Sequence, residues 1–302
     1  MRNIILSVAD RPWVRRLMTG GAGRRVALRF VAGEDLEDAL KVVKALNERG
    51  MTASIDYLGE NVTDAAKAAA ATDAYRASIE RVEAAGLRAN QSMKLTQVGL
   101  DIDEEVALGN AAIVAARAAE AGTNLTLDME DHRYTDRTVD TALRLAHRYP
   151  DRIGVAVQAY LHRTPADVDR LNEARVQVRL CKGAYKEPRR IAHQRKKDVD
   201  AAFARLLVRV LEGNVYPMIA THDMRLIQFA LRQIEKLGRD RATFEFQFLL
   251  GVRREFQQRL VAEGYRVRIY VPYGNEWYPY FRRRIAERPA NLKFFVRQLL
   301  SR

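Results

Sequence analysis

A single cysteine, Cys181, in 302 residues leaves no disulfide framework and no paired thiols for a structural metal or a dithiol redox centre. The eight prolines and 17 glycines never cluster into a linker that would divide the chain. Long apolar runs are missing too. The first stretch, Ile4 to Ala9, is cut short by Asp10, Arg11 and Pro12, well below a signal core or a membrane span. With no targeting segment in view, the expected location is the cytoplasm. No GxGxxG follows the first predicted strand, so the usual fingerprint of a dinucleotide-binding open sheet is absent.

What the chain does carry is 48% apolar residues, enough for one large core, and the expectation is a single domain over residues 1–302. Its net charge of +13 comes from 51 basic and 38 acidic residues. Such an excess suits phosphate backbones or peripheral docking on an anionic membrane, but many arginines alternate with acids on helical faces, as on an ordinary solvated surface. The densest basic run is Lys186 to Lys197. Asp128, Glu130 and Asp131 interrupt any continuous phosphate-binding face, and no nucleic acid is expected as a partner.

Short apolar or β-branched runs alternate with stretches of helical period, the pattern of a parallel sheet with crossover helices. Strands are predicted near Thr52–Tyr57, Gln91–Leu95, Asn124–Asp128, Gly154–Ala159, Gln177–Cys181, Tyr216–Ala220, Thr243–Gln247 and Arg266–Val271. Helices are predicted between them, most closed by a glycine or proline such as Gly86, Gly122 or Pro150. Eight βα units of this size predict an α/β fold, a (βα)8 TIM-type barrel with an extra N-terminal helical segment, its active site at the C-terminal ends of the strands.

Reactive side chains gather where those strands are predicted to end. Lys94 closes the second, Asp128-Met129-Glu130-Asp131 the third and Gln158 the fourth. Arg179 and Lys182-Gly183-Ala184-Tyr185 belong to the fifth, Thr221-His222-Asp223 to the sixth, Glu245 and Gln247 to the seventh, Tyr270 to the eighth. A last predicted helix places Tyr280, Arg283, Arg284 and Glu287 on one face, with Pro279 in its first turn and Pro289 at its stop. Paired guanidiniums on one face can grip both oxygens of a carboxylate. Lys94 or Lys182 as a Schiff-base lysine is the competing enzymatic reading.

Taken together, Leu58-Gly59-Glu60, Met93-Lys94-Leu95-Thr96-Gln97, Leu127-Asp128-Met129-Glu130-Asp131, Gln158-Ala159-Tyr160-Leu161, Arg179-Leu180-Cys181-Lys182-Gly183-Ala184-Tyr185, Ala220-Thr221-His222-Asp223, Phe244-Glu245-Phe246-Gln247 and Tyr280 to Glu287 resemble the proline dehydrogenase family from about Thr52 to Arg297. The resemblance implies a stand-alone bacterial flavoenzyme that oxidises L-proline to Δ1-pyrroline-5-carboxylate. FAD rather than FMN is the implied cofactor, a quinone the electron acceptor, and a separate pyrroline-5-carboxylate dehydrogenase a functional neighbour.

Residue by residue, it implies that Arg179 lies beside the flavin N5, and that Met129, Gln158, Lys182, Gly183, Ala184, Thr221 and His222 hold the cofactor. Arg283 and Arg284 bind the proline carboxylate with Lys94 beside them, and Asp128 orients Lys94 or Arg284. Ala184, Leu249, Tyr270 and Tyr280 wall the ring. The catalytic set is Asp128, Arg179 and Tyr270, with no metal. Glu60 is expected to pair with an arginine of the last helix as a lid closes. His222 as a general base is the alternative to its cofactor contact, and the base for the substrate amine is unassigned. Cys181 departs from the aliphatic residue expected at its position.

Overall fold

The computed structural model describes residues 28–281. The segment Ile4–Trp13 and the arginine pair Arg283 and Arg284 lie outside these residues. Eight parallel strands close into a barrel in chain order: β1 Thr52–Tyr57, β2 Ala89–Met93, β3 Leu125–Leu127, β4 Ile153–Gln158, β5 Gln177–Cys181, β6 Pro217–Ala220, β7 Glu245–Leu249 and β8 Val267–Tyr273. β8 pairs with β1 over six residues, Thr52 opposite Arg268 through Tyr57 opposite Tyr273, which shuts the ring. Among the described residues, helix α1 (Leu36–Glu48) precedes the barrel and packs across the β1–β8 seam.

The seven crossovers are α2 Ala65–Ala84, α3 Glu104–Glu120, α4 Thr135–Arg148, α5 Thr164–Glu173, α6 Lys196–Glu212, α7 Met224–Lys236 and α8 Arg254–Ala262. Aspartates start several of them by satisfying amides that the first turn leaves without partners: Asp64 accepts from Lys67 N at 2.9 Å and Asp103 from Glu105 N at 2.8 Å. α4 shows why the chain coils here. Val139, Ala142, Leu145 and Ala146 are buried on one face, while Arg144, Asp140 and Arg148 stay in water. Gly86 then turns the chain out of α2 with φ +61, a conformation glycine reaches without strain.

Along each strand alternate residues face the helices or the barrel interior. In β1, Ala53 and Ile55 belong to the apolar core, whereas Ser54 and Asp56 make their hydrogen bonds across the interior. The interior is therefore polar and layered. Its floor is Arg268, which bonds Glu245 at 2.7 Å, the Ala53 carbonyl at 2.8 Å and Asn90 at 3.2 Å.

Two strand positions differ from the sequence expectation by two residues. Leu95 belongs to a 3-10 turn that follows β2 and ends at Gly99, and Thr243 to another in which Asp240 caps Ala242 N. These local hydrogen bonds compete with the ladder and win. A two-residue shift preserves which side chains point inward. Its consequence is a correction: Glu245, expected at a strand's C-terminal end, is the first residue of β7 and part of the floor.

Candidate active site

Above the floor, five strands direct ionisable or hydroxyl groups at one point. Arg179 leaves β5 4% exposed; its Nη1 donates to Asp128 Oδ1 at 2.5 Å and Ser92 Oγ at 3.0 Å, its Nη2 to Ser54 Oγ at 3.1 Å. Tyr270 of β8 donates its phenol to the other Asp128 oxygen at 2.5 Å, and the Arg179 guanidinium sits 5.5 Å from the Tyr270 ring centroid. Asp128 thus holds one cation and one phenol. Lys94, just past β2, bonds both oxygens of Asp56 at 2.9 and 3.0 Å and stands 3.6 Å from Asp128.

Burial alone would lower the Lys94 pKa, but Asp56 and Asp128 more than offset that, and it is raised. It is an ammonium, which excludes it as a Schiff-base nucleophile at neutral pH. Burial pushes the Asp56 carboxyl up against the pull of Lys94, and pushes the Tyr270 phenol up with the charge of Asp128 adding to it. Lys182, the other Schiff-base possibility, bridges Asp200 at 2.5 Å and Asp223 at 2.8 Å, and Lys196 bonds the same two carboxylates. Burial opposes ionisation of Asp223, yet these two lysines hold its carboxyl below the usual range.

The loop after β5 crosses the top of the barrel. Gly183 takes φ +112, and a Cβ there would lie 2.2 Å from the Tyr160 ring, so only glycine lets the backbone run this close to that ring. Ala184 N donates to Gln158 Oε1 at 3.3 Å. Further along, Leu161 and Ala192 form an antiparallel bridge, and Glu187 accepts from His132 N at 3.0 Å and contacts the His132 ring. The crossing loop is thereby tied to the loops after β3 and β4.

These groups surround a cavity of ≈ 1010 Å³. The sequence-predicted residues Lys94, Asp128, Met129, Gln158, Arg179, Lys182, Gly183, Ala184, Thr221, His222, Leu249, Tyr270 and Tyr280 all line it, as does Cys181. His222 accepts from Leu249 N through Nε2 at 3.0 Å, which ties that nitrogen to the end of β7. Two expectations change. Asp56 rather than Asp128 is the principal partner of Lys94, and Asp128 serves Arg179 and Tyr270 instead. Asp131 pairs with Arg133 and does not line the cavity. Sequence reasoning passed over Asp56, Ser54 and Ser92; the signal available was parity, since Ser54 and Asp56 share the inward face of β1.

The surroundings suit a large, electron-rich planar cofactor. Arg179 presents a buried cation at the cavity wall, held in place by Asp128, Ser92 and Ser54. The close backbone at Gly183 and a volume at the top of the ~300–1,000 Å³ range of small-molecule sites fit the same kind of group. Among the described residues there is no cluster of three or more His, Cys, Asp or Glu side chains that could hold a metal ion, and no helix long and apolar enough to cross a membrane.

A closed (βα)8 barrel with charged groups converging beside a deep cavity at the strand ends defines a barrel enzyme. Comparison with known proteins narrows the class. The family profile described as proline dehydrogenase matches residues 39–297. The chain is 41% identical over 304 residues to the proline dehydrogenase of Deinococcus radiodurans, covering 99% of this chain and 98% of that one. It is 36% identical over 303 residues to proline dehydrogenase 1 of Bacillus subtilis strain 168, with full coverage of both. Among solved structures, proline utilization A of Bdellovibrio bacteriovorus, inactivated by N-propargylglycine, shares the fold with a TM-score of 0.82 at 24% identity over 88% of this chain. This chain spans about a third of that structure's length, 33%. The chain belongs to the proline dehydrogenase family, an enzyme family whose membership implies a flavin.

Proposed function

We propose that the enzyme oxidises L-proline to Δ1-pyrroline-5-carboxylate with FAD as hydride acceptor, the first step of proline breakdown. The observation that carries the reading is Arg179. Its charge is fixed at the cavity wall by Ser54, Ser92 and Asp128, where a held cation favours an electron-rich partner. When bound, FAD supplies the two-electron acceptor. The cavity continues past Lys182 to Val199, Arg225 and Arg253, which favours the dinucleotide over FMN.

In this scheme Met129, Gln158, Lys182, Gly183, Thr221 and His222 hold the cofactor, and Arg179 stabilises the negative charge that hydride delivery creates. Lys94 adds a positive charge at the substrate carboxylate, a role it shares with Arg283 and Arg284. Ala184, Leu249, Tyr270 and Tyr280 wall the ring, and Asp128 keeps Arg179 and Tyr270 in register. The substrate amine sheds its proton before hydride leaves. Lys94, already an ammonium between two carboxylates, is not the group that takes it. Electrons pass on to a quinone, for which the basic chain docks at the face of an anionic membrane. The product goes to a separate dehydrogenase; the 27% identical bifunctional protein PutA of Escherichia coli supports that link.

Anaerobic addition of L-proline to the purified yellow protein tests the reading. Loss of the oxidised flavin band supports it. An unbleached spectrum removes proline as substrate, and release of FMN instead of FAD on denaturation removes the cofactor assignment.

A further inference from the structure

The carboxylate nearest the Lys94 charge has no part in the scheme above. Asp56 is 0% exposed, lies on the inward face of β1, and does not line the cavity. Both its oxygens accept from Lys94 Nζ, at 2.9 and 3.0 Å. An ammonium has three N–H donors. Two are used on Asp56, and the Asp128 oxygen at 3.6 Å is beyond hydrogen-bond distance, so one donor remains for the cavity that Lys94 lines. Besides Asp56, the charged groups nearest Lys94 are Asp128 and Arg179, and the Glu130 carboxyl and Tyr185 phenol also act on it.

We propose that Asp56 is a positioning residue, which holds the Lys94 ammonium at the cavity wall and thereby sets how tightly the substrate carboxylate is bound, without itself touching substrate. This rests on the proposed role of Lys94 at the carboxylate. Without Asp56, a 7%-exposed lysine has two ways to recover. It either swings to Asp128 and competes with Arg179 and Tyr270 for the same two oxygens, or it gives up its proton, since an ammonium buried without a partner is costly. Either outcome displaces or neutralises the positive charge at the substrate's end of the cavity while Arg179 keeps its serine contacts on the cofactor side. Asp56 therefore governs binding of the carboxylate more than the rate of hydride transfer.

The test is a mutant cycle of Asp56→Asn, Lys94→Met and the double variant, each prepared with flavin bound. Two readouts are steady-state kinetics with L-proline and the inhibition constant of cyclopentanecarboxylate, a ring carboxylate with no amine to titrate. Asp56→Asn is expected to raise KM and the inhibition constant ~10-fold or more while kcat changes less than ~3-fold. Inhibitor binding in that variant also weakens as pH rises above neutrality, because Lys94 has lost the carboxylate that kept it charged. In the Lys94→Met background the same change alters the inhibition constant by less than ~2-fold, since the residue through which Asp56 acts is gone. Wild-type inhibition across the pH range in Asp56→Asn overturns the proposal, and so does an undiminished effect in the Lys94→Met background. If Asp56→Asn alone yields no folded protein, the comparison of Lys94→Met with the double variant decides by the same criterion. A wild-type enzyme that proline does not bleach refutes the proposed function instead, so the two failures are distinct.

Discussion

Glu130 links two loops at the top of the barrel and titrates in a range where its effect on stability can be measured. Its side chain is 3% exposed, accepts from Thr96 Oγ1 at 2.7 Å and Thr96 N at 3.3 Å, and its carbonyl accepts from Gln158 Nε2 at 2.7 Å. Burial outweighs these hydrogen bonds and raises its pKa from 4.5 to about 7. A carboxyl that binds its proton more tightly folded than unfolded adds stability that is complete below the unfolded value and is lost as pH rises through the folded one. At 1.36 kcal/mol per pH unit, the interval between 4.5 and about 7 amounts to about 3 kcal/mol. With a urea dependence near 3 kcal/mol per molar, suited to a chain of this size, that is a midpoint difference of about 1 M. Urea unfolding of flavin-matched wild type and Glu130→Gln at about pH 5 and about pH 8 measures it. The wild type should lose about 1 M more than the variant over that interval, and parallel shifts in the two proteins would refute the assignment of the titration to Glu130.

Arg268→Met leaves Glu245 buried without its cation and should cost about 3–5 kcal/mol of stability in chemical denaturation. Gly183→Ala forces a Cβ into the Tyr160 ring at an unfavourable φ; the flavin-to-protein ratio should fall at least ~10-fold, read from absorbance after gel filtration. Tyr270→Phe deletes the phenol that donates to Asp128 at 2.5 Å and should lower kcat/KM by about 10-fold in stopped-flow reduction of the flavin, with the protein still yellow.

The barrel was legible because its two periodicities are written in local chemistry. Short apolar runs, helical period and the glycine or proline stops that follow the helices are properties of neighbouring residues, so they survive without knowledge of the fold. Where two local preferences compete, the sequence is ambiguous. Leu95 and Thr243 have the composition of strand residues, and only the hydrogen bonds of their 3-10 turns remove them from β2 and β7. The site residues at strand ends were legible for the same reason as the barrel. Asp56 was not, because its role depends on a lysine 38 positions away that the barrel brings within 2.9 Å. A single carboxylate in a strand carries no mark of which cation it will meet.

The two layers of the interior explain why so many charges are tolerated inside this barrel. Replacing a buried ion pair by apolar residues of similar volume often stabilises a protein, so such pairs are weak evidence for stability on their own. The floor pair Glu245–Arg268 is nevertheless embedded in further hydrogen bonds: Tyr216 and Gln247 add donors to Glu245, and Ala53 and Asn90 add acceptors to Arg268. The upper layer is built differently. Lys94 keeps an unspent N–H on a residue that lines the cavity, and the Arg179 guanidinium lines it as a fixed cation. A satisfied floor fixes the strands that carry the upper layer, since Arg268 and Tyr270 are two residues apart on one strand and Ser54 sits opposite Tyr270 on the next. Rigidity below and unmet hydrogen-bonding capacity above are what a site needs to present fixed charges to a bound molecule without moving to meet it.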